Sequence, residues 1–191
     1  PVDITDAENF DKELEKMGTD RGKADAIRTR LTRTISEKSK EDPAYYKKFS
    51  TRIEETIEAY RNRRITDSEY LQKMQDIKED FRKGNSGISY PTNITAENSR
   101  AFYGVIYDKL IPRMKENTNI EEIGEIALNI QREIESKIKR DWHYNTDIHN
   151  EIAQAIDDTI FMYATRKNIS LDLEELDKLI EEIINIALMK Y

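Results

Sequence analysis

Ile120, Ile123, Ala127, Ile130, Ile134 and Ile138 recur at steps of three and four residues, so one face of a helix about five turns long collects them all. A strand cannot use this pattern, because a period of two would send the same residues to opposite faces. The same spacing returns in Ala24, Ile27, Leu31 and Ile35, in Tyr46, Phe49, Ile53, Ile57 and Tyr60, and in Tyr70, Met74, Ile77 and Phe81. It returns once more in Ile148, Ile152, Ile156, Ile160 and Tyr163. Gly and Pro together occupy only ten positions, and charged residues make up 36% of the chain. Long, well-solvated helices have that composition, and the prediction is an all-α fold of about eight helices in an irregular bundle. No repeat of fixed period relates them.

Start and stop signals divide the stripes into elements. Thr5 and Glu8 have capping-box spacing and open a first helix that Gly18 can end, and the second runs to about Lys40. Asp42 offers an acceptor to free helical amides, while Pro43 suits a first helical position because its missing N–H costs nothing there. The run Arg61, Asn62, Arg63, Arg64 places positive charge at the carbonyl end of that third helix. Thr66 and Glu69 then start a fourth, predicted to fold back on the third as an antiparallel hairpin. Residues 83–94, rich in Gly, Asn and Ser, form the one long loop and divide a single domain into possible lobes 1–82 and 95–191. Beyond it, Thr95 is the expected cap of helix five, which ends near Pro112, and Thr118 with Glu121 that of helix six. Asn168 is expected to end helix seven. Asp172 with Glu175 opens helix eight, whose stripe is Leu173, Leu176, Ile180, Ile183, Ile184 and Ala187.

Several function classes are disfavoured. No apolar run long enough to span a bilayer and no signal peptide is present, so a cytoplasmic protein without membrane contact is expected. The absence of cysteine removes disulfides and thiolate metal sites. A chain that begins with Pro1 rather than Met is expected to be a piece of a larger protein. The net charge of −7 speaks against a dedicated DNA-binding module, yet residues 21–64 hold thirteen Lys/Arg against seven Asp/Glu, a local surplus of six positive charges. Within that stretch Arg28, Arg30, Arg33, Arg61, Arg63 and Arg64 lie off the apolar stripes and are the candidate contacts to DNA or to an acidic partner. Glu54, Glu55 and Glu58 interleave with them and weaken the DNA version.

No set of residues assembles a catalytic or cofactor site. His143 and His149, with Asp141 and Asp147, suggest a mononuclear metal site only on paper, since six residues separate the imidazoles. Asp157 and Asp158 point about 100° apart on a helix and cannot address one substrate atom, so a buried salt bridge or a helix-end contact is the better reading. Trp142 could anchor an interface but reads first as packing between helices six and seven. Tyr45, Tyr46, Phe49 and Tyr60 read as core before they read as a stacking platform for single strands.

Three blocks in order carry a likeness: D-P-A-Y-Y-K-K-F-S through R-R-I-T-D-S-E-Y-L at 42–71, A-F-Y-G-V-I at 101–106, and I-A-L-N-I, D-W and A-I-D-D between 126 and 158. From about residue 23 onward the chain resembles the C-terminal helical domain of the R (HsdR) subunit of type I restriction-modification enzymes. Asp42, Pro43, Tyr46, Phe49, Trp142, Asp157 and Asp158 are then structural motif positions. The resemblance implies a non-catalytic domain with no cofactor of its own. Its parent would be an ATP- and Mg2+-dependent translocase and site-specific deoxyribonuclease whose nuclease and motor domains lie ahead of Pro1. The implied partners are the methylation and specificity subunits, the motor domains of the same chain, and DNA through the complex. The alternative class is a free-standing nucleic-acid-binding helical module that uses the basic 21–64 face.

Overall fold

The computed structural model describes residues 3–115 and 119–191. Eight α-helices account for most of them: α1 (Ala7–Glu15), α2 (Asp20–Lys38), α3 (Pro43–Arg61), α4 (Asp67–Lys83), α5 (Glu97–Leu110), α6 (Ile120–Lys137), α7 (Thr146–Lys167) and α8 (Leu173–Lys190). Two 3-10 turns, Ile111–Arg113 and Trp142–Tyr144, complete the list, and no strand occurs among the described residues. None of the described helices is long and apolar enough to cross a membrane. The chain divides into two compact units, one of Pro1–Ser39 with Tyr45–Ile88, the other of Lys40–Ala44 with Ser89–Tyr191.

In the first unit the stripes of α2, α3 and α4 meet as their spacing requires. Ala24, Ile27 and Leu31 are fully buried with Phe49, Met74 and Ile77. Each such aliphatic side chain contributes on the order of 2 kcal/mol by leaving water. Aromatic contacts set the register of the α3–α4 hairpin, with Tyr60 stacked on Tyr70 at one end and Phe49 edge-on to Phe81 at the other. Thr66 caps α4 in a full capping box with Glu69, and Gly84 ends it at φ 72°. Helix α1 begins one residue later than its spacing suggests. Thr5 spends its hydroxyl and amide on Asp3, so Asp6 caps the helix through the Asn9 amide.

The second unit is an up-down-up-down bundle. Ser99 on α5 reaches Gln131 on α6, Glu122 at the start of α6 reaches Lys167 at the end of α7, and Glu97 on α5 pairs with Lys190 on α8. Helix α5 is buried around most of its circumference, from Ala101 to Ile106. Its remaining side is covered by Lys40–Ala44: a Cβ at Gly104 would lie 2.8 Å from the Ala44 Cβ. The segment Pro91–Asn93 likewise crosses α6 at Gly124, held by Thr92 and Asn93 hydrogen bonds to Glu121. That anchoring delivers the chain to α5 with Ala96 at the N-cap and no side-chain cap, rather than with Thr95 capping. Asn119 caps α6 through the Glu121 amide, and Thr118 lies outside the described residues. Asn168 ends α7 in the left-handed conformation. On α8 the buried face comprises Leu176, Leu179, Ile183, Ile186 and Ala187; Ile180 and Ile184 flank it, and Leu173 is 77% exposed.

Candidate functional site

The motif positions serve the interior. Pro43 opens α3, and Ala44 fills the space left by the missing side chain of Gly104, so the D-P-A and A-F-Y-G blocks are two halves of one contact. Phe49 is wholly buried between Tyr45 and Phe81, and Tyr46 packs at the rim of the same cluster. Trp142 is 2% exposed. Its ring meets His149 edge-on at 5.6 Å and His143 at 4.7 Å, while the Trp142 Nε1 and His149 Nε2 atoms are buried without a hydrogen-bond partner among the described residues. No group of three or more His, Asp or Glu converges to hold a metal among the described residues. Asp157 and Asp158 depart from their expected role. They sit in the middle of α7, where exposed Asp158 accepts from Gln154 and half-buried Asp157 makes no ion pair among the described residues.

The six candidate arginines separate. Arg30 leans on Glu13 of α1 at 3.6 Å, and Arg33 pairs with Glu37 one turn along α2. Arg28 lies 3.6 Å from Asp25, whose carboxylate also accepts the Tyr70 hydroxyl at 3.0 Å. Tyr70 in turn stacks on Tyr60, whose hydroxyl donates to Asp67 at 2.8 Å. This chain of contacts brings Arg28 to the end of the unit where α3 turns into α4, and there Arg61, Arg63 and Arg64 are exposed with no ion-pair partner among the described residues. Arg63 holds φ 55°, and the Arg64 amide donates back to the Ala59 carbonyl. That closes α3 with an arginine at the left-handed position usually given to glycine.

The second unit presents a different surface, a cleft of about 530 Å³ between α6 and α7. Glu122, Glu125 and Arg132 line one wall, Met162, Tyr163 and Arg166 the other. Glu122 accepts from Lys167 at 2.9 Å and from the Tyr163 hydroxyl at 3.3 Å. The Lys167 hydrogen bond outweighs burial and holds the Glu122 carboxyl below its usual range. Burial, with Glu122 beside it, pushes the Tyr163 phenol up to about 12. Met162, more than half exposed, stands on this cleft's α7 side. The charge pattern of 21–64 points to the first surface, but nothing local in the sequence joins Glu122 to Lys167 across 45 positions.

Comparison with known proteins adds one finding. The family model described as type I restriction enzyme HindI endonuclease subunit-like, C-terminal, matches residues 3–188. No curated protein and no solved structure matches the chain.

Proposed function

We propose that this chain, which belongs to the C-terminal family of type I restriction endonuclease subunits, is a non-catalytic assembly module. It docks the subunit onto the methylation–specificity core and braces the motor domains, while ATP hydrolysis and DNA cleavage reside elsewhere in the subunit. The observation that carries this reading is family membership across residues 3–188. The structure supports it through the use of the motif residues: Pro43, Ala44, Phe49, Gly104 and Trp142 preserve a shape and leave the surface free for partners. The large exposed apolar residues Tyr144, Phe161, Met162, Leu173 and Met189 all lie in the second unit, where a protein partner would find anchors.

The test is capture of the chain by a methylation–specificity core at increasing salt, with and without duplex DNA. Capture that resists salt and needs no DNA is expected. Capture that requires DNA, or none at all, refutes docking.

A further inference from the structure

We infer that the α3–α4 turn of the first unit, through Arg61, Arg63 and Arg64, grips the phosphate backbone of a nucleic acid weakly and without sequence preference. The inference is independent of the docking role, which concerns protein surfaces. Three guanidiniums sit within four consecutive residues, all exposed, and none has an ion-pair partner among the described residues. Exposed Glu58 stands one turn before Arg61 without an ion pair among the described residues, whereas the two acids that follow the turn are engaged locally. Asp67 accepts the Tyr60 hydroxyl, and Glu69 accepts the Thr66 amide in the capping box. Arg28 stands at the same end but is paired with Asp25, which leaves three unpaired cations.

Two features select phosphate over an acidic protein. No large hydrophobic is exposed among the described residues of this unit, so its own surface offers a protein partner no apolar anchor, and a phosphate chain needs none. Arg63 also occupies a backbone position at φ 55° where glycine would be less strained. The fold therefore does not require an arginine there, and its side chain is available for a partner. Arg61, Arg63 and Arg64 are all exposed at this one helix end, and several cations together suit a chain of phosphates better than a single carboxylate.

The experiment is a salt titration of the 191-residue chain against a duplex oligonucleotide of arbitrary sequence, with poly-glutamate as the acidic control. Three phosphate contacts give a slope near −2.7 in log affinity against log salt, an affinity loss of about 40-fold between 50 and 200 mM. Arg63→Gly should melt no lower than the parent yet cut that loss to about 12-fold, since one contact fewer lowers the slope by about 0.9. Arg33→Ala, which removes a charge from an ion pair elsewhere on α2, should leave the slope unchanged. Three outcomes each overturn the inference: no binding at 50 mM salt, an unchanged slope in Arg63→Gly, or poly-glutamate bound as tightly as the duplex.

Discussion

Gly104→Ala sets two large effects against each other. In a helix interior the change ordinarily stabilises by about 1 kcal/mol, because alanine has the better propensity. Here the new Cβ would stand 2.8 Å from the Ala44 Cβ, and neither atom can rotate away, since each is fixed directly to its backbone. Relieving that overlap requires α3 and α5 to separate locally, at about 2–3 kcal/mol for an overpacked core. The net expectation is a loss of about 1–2 kcal/mol. Ala44→Gly alone should cost about 1–1.5 kcal/mol, from one buried methyl and a glycine in the first turn. The double variant exchanges the methyl between the two helices, and its stability should exceed the sum of the single effects by about 1.5 kcal/mol or more. The assay is urea unfolding followed by tryptophan fluorescence, because Trp142 is the sole tryptophan and is buried in the same unit. A stabilised Gly104→Ala protein, or single effects that add within about 0.5 kcal/mol, would refute the contact as the reason the two sequence blocks occur together.

Gly124→Ala should cost about 2 kcal/mol or more in the same assay, because the new Cβ would overlap the Asn93 side-chain oxygen, with Pro91 Cγ at 2.9 Å beside it, and displace Asn93 from Glu121. Asp11→Asn removes the carboxylate that holds Lys78 and Arg82, whose side chains are only 8% and 11% exposed, and a loss of about 2–3 kcal/mol in thermal melts is expected. Burial opposes ionisation of Asp11, but hydrogen bonds from Arg82 and Lys78 prevail and depress its carboxyl, as Lys167 does for Glu122. Groups depressed on folding contribute stability above their unfolded value near 4 and lose it as the pH falls through the folded one, so the melting temperature should drop below about pH 4. The opposite sign holds for Tyr70, Tyr103 and Tyr163, which burial above all raises to about 12. Their contribution is complete below about pH 10 and disappears between there and about 12, so tyrosinate absorbance and loss of helix should rise together in that window.

What the sequence disclosed was what neighbouring residues decide. The stripes of α2, α3, α4 and α7, that of α6 as far as Ile134, the start of α3 at Pro43, the Thr66 capping box and the stop at Asn168 rest on contacts within one or two turns; Ile138 falls just past the end of α6, in extended backbone. Helix α8 shows the limit. Apolar residues surround much of its circumference, so only the positions of α5 and α7 select Leu179 and Ile186 over Ile180 and Ile184. The arginines show the same limit at the surface. Periodicity marked them as lying off the apolar stripes, and Asp25 and Glu37 stand within one turn of Arg28 and Arg33 on α2, but the partner of Arg30 is Glu13 of α1, which no local pattern announces. Family membership covers the whole arrangement without distinguishing a paired arginine from a free one.

The tie between Asp11 and α4 also has a kinetic consequence. Helix α1 has nine residues, too few to persist alone, and its anchors lie 67 and 71 positions further along the chain. It must therefore dock late, after α4 has formed, and its interactions are weak or absent in the folding transition state. Asp11→Asn should leave the refolding rate nearly unchanged and accelerate unfolding, so that the whole loss of stability appears in one limb of the chevron.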